Sequence, residues 1–424
     1  MRVLHTADWH LGHAWFDLPR AYEHERFLAW LLDQIEQERV DALIVSGDIF
    51  DTANPSATAQ RAWFEFLGRA RARRPTLDIV AVAGNHDSGA RLSAPAPILE
   101  AFGVHLVGAL PRRADGSLDV SRLILPLHDD AGRVGALVAA VPYLRPGDLR
   151  RRPLELEGDA DSADSGDPII EGVREVYSEG VAAALARRSP DQALLVTGHC
   201  YMTGGKLSDL SERKILGGNQ HALPVDIFGD EVTYAALGHL HLAQKVGDRR
   251  NVRYAGSPIP LAIDEERYPH QVCLVELKGA ELHEVRSLRV PRVVDILRIP
   301  DEGFAPLDEA LCALRALPPL DHTVAFETRP YLEVRVSVEN PRGVRSEVAA
   351  ALEGRHPRLV SLRVDTPRRR GALADGERAK TLVDLSPEDV LRRCFEQSGR
   401  EGELSAALLE AYHELVELAT REDR

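Results

Sequence analysis

The sequence predicts an α/β protein on three observations. Short runs of β-branched and other apolar residues recur through the first two thirds of the chain, and each is stopped by a polar cluster. Helix-like stretches follow them, and after about residue 280 the composition shifts towards a smaller second unit. The runs are 3–7, 42–46, 79–83, 194–197 and 234–237. Being apolar on both faces, they read as buried strands. Between the first two, residues 21–39 repeat Phe27, Leu28, Leu31, Leu32 and Ile35 at helical spacing, so helices are expected to cover a central sheet.

Further along, residues 154–171 are rich in Asp, Glu, Gly and Ser and are expected to form an exposed loop. Residues 331–338 alternate like a strand, 345–352 look helical and 359–364 look like a second strand, which together suggest a small α+β unit. The stretch 367–376, with Arg368, Arg369 and Arg370, reads as a linker. Beyond it, Ser386-Pro387-Glu388-Asp389 has the form of a helix start, with Val390, Leu391, Cys394 and Phe395 on one face. A second amphipathic helix is expected over 404–420, striped by Leu404, Leu408, Ala411, Tyr412, Leu415 and Leu418. Two such short helices need an apolar surface to rest on, which is either their own core or a partner. The division expected is therefore 1–280, 281–366, a linker at 367–385 and a helical tail at 386–424.

Composition sets the class. The chain has 424 residues, 44% of them hydrophobic and 28% charged, as in ordinary globular proteins. Its start, MRVLHTADWHLG, lacks the apolar core of a signal peptide, and no run of about 18 apolar residues offers a membrane span. Cys200, Cys273, Cys312 and Cys394 are scattered without a C-x-x-C pair, which points to free thiols in a reducing cytoplasm. A net charge of -14 excludes a protein that coats nucleic acid by bulk electrostatics. Phosphates can still be held by bound divalent cations, or by a partner's basic surface.

The chemistry lies where the strand candidates stop. The first ends in Asp8-Trp9-His10, the second in Gly47-Asp48 and the third in Gly84-Asn85-His86-Asp87. The fourth ends in Gly198-His199 and the fifth in Gly238-His239-Leu240-His241. Five strands thus deliver Asp, His and Asn to what is expected to be a single edge of one sheet, where α/β folds bind ligands. Each motif alone is a weak signal, and a lone histidine is more often structural than a ligand. Imidazole, carboxylate and one amide together suit Mn, Fe or Zn better than Ca or Mg. The seven donors Asp8, His10, Asp48, Asn85, His199, His239 and His241 are too many for one tetrahedral ion, so a dinuclear site is expected.

The order D-x-H, G-D, G-N-H-D, G-H, G-H-x-H resembles the calcineurin-like metallophosphoesterase superfamily. The strings LHTADWHLG, GDIFDTANPS, AVAGNHDSGARLSAP and GHLH followed by YAGSPIPLAIDE narrow the resemblance to its SbcD-type nuclease subunits. The likeness is dense over residues 1 to about 270 and looser beyond. It implies a β-sandwich flanked by helices, with a small capping domain and a helical tail. It implies that Asp8, His10, Asp48 and His241 hold one ion and Asp48, Asn85, His199 and His239 the other, with Asp48 bridging and Mn as the metal. His86 resembles the family's catalytic histidine, which stabilises or protonates the leaving 3′ oxygen. The implied activity is DNA cleavage, as double-strand exonuclease and single-strand or hairpin endonuclease, in end processing, repair and recombination. The implied partners are DNA, a second copy and an SbcC-type ATPase, in a heterotetramer of two copies of each. No G-x-x-x-x-G-K-[ST] loop occurs, so any ATP dependence must come from that other polypeptide.

Several residues stay open. Asp87 is either a residue that orients His86 or a ligand from behind, or a plain turn residue. Asp51 stands where some relatives carry a second histidine, and its role is not assigned. His13 reads as a loop histidine before a substrate contact, Cys200 as a small buried residue, and His221 as a weak substrate-contact candidate. Residues 57–71 form a candidate dimer helix through Ala62, Trp63, Phe66 and Leu67, the alternative being packing on their own sheet. The rival activities are a phosphatase or cyclic-nucleotide phosphodiesterase with the same metals, since fold does not fix substrate, and a binding scaffold with a dead site. The extension beyond residue 280 argues against the first, and the full set of ligand residues against the second.

Overall fold

The computed structural model describes residues 1–15, 17–149, 168–203, 205 and 222–366. The linker and tail expectations, His221 and Cys394 lie outside these residues. Two six-stranded sheets stack face to face, the sandwich that the resemblance implies in place of the single central sheet read from the periodicity. In the first, Arg2–Thr6, Ala42–Ser46, Asp78–Val82 and Val104–Val107 run parallel, and the hairpin of Gln271–Lys278 and Glu281–Arg289 pairs antiparallel beside Arg2–Thr6. In the second, Val134–Ala140, Ala193–His199, Tyr234–Gly238 and Arg249–Tyr254 run parallel, edged by antiparallel Ile124–His128 and Gln244–Val246.

Alternation along each strand explains why the runs are apolar throughout. Val3, Ala42, Ile44, Val80 and Val82 of the first sheet meet Ala136, Val138, Leu195 and Ala236 of the second. Their neighbours Leu4, Leu43, Val45, Ile79 and Ala81 face outward onto helices Ala21–Gln37 and Ala57–Arg73. Helix Pro168–Arg187 covers the outer face of the second sheet through Val173, Val176, Tyr177 and Val181. Residues 168–171, expected in the exposed loop, are the first turn of this helix, opened by a proline whose fixed φ suits that position.

Helix Ala57–Arg73 starts on Ser56, whose hydroxyl accepts the Ala59 N–H at 3.2 Å. Its Trp63, Phe66 and Leu67 are at most 2% exposed, against the first sheet and Trp9. Of the two roles weighed for these side chains, packing on their own sheet is the one observed, and they are not available for a seam between copies.

A third sheet follows, in which Ile296–Ile299, Ala305–Pro306 and Arg358–Asp365 all pair parallel with Tyr331–Ser337. Helices Leu307–Arg315 and Val344–Leu352 pack on it through Leu311, Leu314 and Val348. Because Glu281–Arg289 pairs with Gln271–Lys278, the first sheet runs on past residue 280, and the third-sheet unit begins only in the 290s. It docks on the two-sheet body through a cluster of Trp15, Ile263, Val294, Ile296, Tyr331 and Val360.

Candidate metal centre

The expected donors come from both sheets. Asp8, His10, Asp48 and Asn85 follow strands of the first, whereas His199 ends a strand of the second and His239 and His241 follow its neighbour. Periodicity identifies a buried strand but not the sheet it joins, so the single edge expected from sequence becomes a seam between two sheets. Bringing the loops this close requires bare backbone. A Cβ on Gly84 would sit 2.1 Å from Asp48 Oδ1. Gly47 has φ +90°, and a Cβ there would lie 2.3 Å from His199 Nδ1. Asp8, His10, Asp48 and His239 are themselves left-handed, at φ 55°, 46°, 49° and 106°. Non-glycine residues rarely adopt that conformation, and its concentration here marks a built site.

Asp48 is the hub. Its Oδ2 lies 3.5 Å from His10 Nε2 and 3.4 Å from His199 Nε2, and its Oδ1 accepts the His86 N–H at 2.8 Å. Burial drives its carboxyl up, but the imidazoles of His199, His10 and His86 outweigh burial and hold it well below the usual range. Asn85 Oδ1 lies 2.9 Å from His199 Nε2 and 3.1 Å from His239 Nδ1. Asp8, fully buried, accepts the His239 N–H at 3.0 Å, and burial lifts its carboxyl to about 6. Ligand atoms of Asp8, His10 and His241 fall within 4.8 Å of one another, as do those of Asp8, Asp48 and His199, and those of His10, Asp51 and His86.

This donor set fits a cation. The carbonyl of Ser46 can only accept, so His199 carries its proton on Nδ1, 2.8 Å from that oxygen. In the neutral ring Nε2 then turns a lone pair on Asp48 Oδ2 and Asn85 Oδ1. His10 faces Asp51 Oδ1 through Nδ1 at 3.2 Å, and its buried Nε2 has no hydrogen-bond partner. Lone pairs and carboxylate oxygens so close repel unless positive charge lies among them. A proton serves at His199, where burial lowers basicity, Asp48 raises it more, and the balance is about 9. Burial pushes His10 down to about 4 and His239 to about 3, so these rings offer neutral nitrogens to a metal.

His86 is half-buried, its ring edge-on to His10 at 4.8 Å between centroids. Its Nδ1 donates to the Asp51 carbonyl at 2.8 Å, which leaves Nε2 for proton exchange. The Asp87 carboxylate is spent on backbone, not on the His86 ring. It accepts the N–H groups of Ile49, Phe50 and Gly84 at 2.9 to 3.1 Å, tying the loop after Asp48 to the loop before Asn85. Burial lifts it to about 6. Asp51 accepts from His10 and, at 3.0 Å, faces His13 Nδ1. His13 thus has a bonded place beside the site. The Cys200 thiol faces the Tyr177 hydroxyl at 3.7 Å and Met202 Sδ at 3.8 Å, and burial pushes it up to about 12.

Two residues were missed. Glu265, at 0% exposure, places Oε1 2.8 Å from His241 Nδ1. It closes the string YAGSPIPLAIDE, but no strand end marks it. Arg145 is exposed, its guanidinium over the Tyr143 ring and 3.4 Å from the carbonyls of Asn85 and Asp87. Tyr143 in turn lies edge-on to His199.

A seam of carboxylates and imidazoles between two stacked sheets is the site of a metal-dependent phosphoesterase. The family described as calcineurin-like phosphoesterase matches residues 1–243, and the chain belongs to it. A second family, described as type 5 capsule protein repressor C-terminal domain, matches residues 292–399. Among curated relatives, the chain is similar to proteins that bear the name of the SbcD component of the nuclease SbcCD. That of Rhodobacter capsulatus is 40% identical over 370 residues, 87% of this chain and 88% of that protein. That of Escherichia coli K12 is 32% identical over 396 residues, 93% and 92% of the two chains. That of Bacillus subtilis is 32% identical over 288 residues, 66% and 67%. No helix among the described residues is long and apolar enough to cross a membrane.

Proposed function

We propose that the chain is a Mn-dependent DNA nuclease subunit, a double-strand exonuclease and single-strand or hairpin endonuclease that acts with an SbcC-type ATPase in DNA end processing, repair and recombination. The observation that carries the reading is the Asp48 carboxylate, shared at 3.4 to 3.5 Å between His10 Nε2 and His199 Nε2, with the buried His10 Nε2 making no hydrogen bond. Asp8, His10, Asp48 and His241 are assigned to one ion, and Asp48, Asn85, His199 and His239 to the other. Two such ions supply Lewis acidity and neutralise the charge of a phosphodiester. The chain's own residues do the rest. Asp51 and Glu265 fix the rings of His10 and His241, and the Ser46 carbonyl fixes His199. His86 as the imidazolium, its Nδ1–H donated to the Asp51 carbonyl, would give its Nε2 proton to the leaving 3′ oxygen and be left neutral. Arg145, at the lip, offers the fork that binds a neighbouring phosphate.

The body carrying this site is the nuclease unit, assigned to 1–280 and completed by the edge strand Glu281–Arg289, with a capping unit up to 366. The linker and the tail at 386–424 are assigned to binding the ATPase, in a cytoplasmic heterotetramer of two copies of each. Dimer contacts between copies fall on surface other than Trp63, Phe66 and Leu67. The test is digestion of end-labelled duplex and hairpin DNA with Mn or Mg, with and without the partner and ATP. Mn-dependent cleavage of both substrates is expected. Hydrolysis of bis(p-nitrophenyl) phosphate with neither DNA cut would replace the nuclease with a small-ester phosphodiesterase.

A further inference from the structure

Residues 258–267 run between the metal centre and the third-sheet unit, and both sides hold them. On the inner side, Glu265 has both oxygens engaged: Oε1 lies 2.8 Å from His241 Nδ1, and Oε2 accepts the Leu261 N–H at 2.7 Å. The Leu261 carbonyl receives the Trp15 indole N–H at 2.8 Å and lies 3.1 Å from His13 Nε2. His13 in turn faces Asp51, the partner of His10. On the outer side, Arg298 of the third sheet donates to the Ile263 carbonyl and pairs with Glu266 at 3.3 Å. Tyr331 packs edge-on against Trp15 with centroids 4.6 Å apart, and its hydroxyl donates to Glu23 Oε2 at 2.7 Å. Arg20 closes the clamp, bonded to Glu23 and to the Pro260 carbonyl and lying 4.1 Å over the Trp15 ring. His199, by contrast, is fixed by a backbone carbonyl of the first sheet.

A carboxylate on the outer nitrogen of a ligating imidazole fixes the ring and raises its donor strength, and removing such a partner typically weakens metal binding about 10- to 100-fold. We propose that Glu265 is a positioning residue for His241 and that the 258–267 strap makes the ion at His10 and His241 depend on the docking of the third-sheet unit, while the ion at Asn85, His199 and His239 does not. The proposal rests on the ligand assignment made above.

The test is calorimetric titration of the metal-free full chain with Mn2+, with elemental analysis of the ions retained. Glu265→Gln keeps the size of the side chain but sets an N–H against either the His241 or the Leu261 N–H. One of the two sites should weaken about 10- to 100-fold, with the other within about twofold and the melting temperature in EDTA unchanged. Trp15→Phe removes the indole N–H bond to the Leu261 carbonyl and Tyr331→Phe the bond from the third-sheet unit to Glu23, each leaving an aromatic side chain, and both should weaken the same site to a lesser degree. Equal weakening of both sites, or wild-type isotherms in folded Glu265→Gln, overturns the proposal. Should that variant not fold, unchanged isotherms in both Trp15→Phe and Tyr331→Phe overturn it instead. A wild-type chain that takes up fewer than two ions removes the ligand assignment, and this inference with it.

Discussion

The two halves of the metal centre are built on different supports. Around His199 the brace is main chain: the Ser46 carbonyl inside the first sheet, with Gly47 and Gly84 allowing the close approach. Around His10 and His241 the braces are carboxylates on loops, Asp51 and Glu265, and the second of these loops is shared with another folded unit. A main-chain brace is as rigid as the sheet that carries it and cannot be removed by substituting a side chain. A side-chain brace is adjustable, and its loss costs ligand orientation rather than folding.

Substitutions can break or sharpen this contrast. The largest effect belongs to the residue the halves share: Asp48→Ala should abolish hydrolysis and lower metal content, and full occupancy by elemental analysis would remove the bridge assignment. His86→Ala removes a ring bonded to the Asp51 main chain but leaves both bracing groups, the Asp51 carboxylate and the Ser46 carbonyl, in place. It should retain both ions while turnover falls about 10²- to 10⁴-fold, the usual range for general acid assistance. Loss of metal in that variant would make His86 a ligand. A matched pair then probes the supports. Gly47→Ala puts a methyl group against His199 in left-handed backbone, and should lower stability by about 1–3 kcal/mol as well as metal affinity. Asp51→Ala should weaken Mn binding about 10- to 100-fold with little change in the urea midpoint of the metal-free chain. Similar stability losses in both would erase the distinction.

A pH-dependent effect concerns the core beneath the main-chain brace. His5 lies between the sheets, bonded to the Tyr234 hydroxyl at 3.0 Å, and burial, with a minor push from Arg253, lowers it to about 3 against a hydrogen bond to the Leu237 carbonyl. The unfolded chain takes up this proton below pH 6.5 and the folded chain does not until about 3. The stability is therefore complete above 6.5 and is lost as pH falls towards 3. At pH 5 the loss is about 2 kcal/mol. His5→Gln should flatten that acid limb in urea melts compared at pH 7.5 and 5.

Much of this architecture was legible because buried strands announce themselves as uninterrupted apolar runs, and polar residues at their ends have few reasons to be there except a site. What was not legible follows from the same physics. An apolar run does not say which sheet it joins, so one edge was expected where two sheets meet. The strand Glu281–Arg289 lies at an edge and has only Leu282, Val285 and Leu288 as apolar residues, so a composition shift near 280 looked like a boundary inside a hairpin. Trp63, Phe66 and Leu67 make the same helical stripe whether they face a sheet or a second copy. Glu265 acts across a turn 24 residues from His241, a distance that no local period reports.

The division of ligands between sheets has a mechanical consequence. On the proposed assignment Asp48 and Asn85 hang from one wall of the sandwich and His199 and His239 from the other, so the cation they would hold is a rivet through both. Parting the sheets at this end must first draw the rivet. The melting temperature of the chain is then a gauge of free metal, climbing with the logarithm of its concentration once the ion is in excess of its dissociation constant.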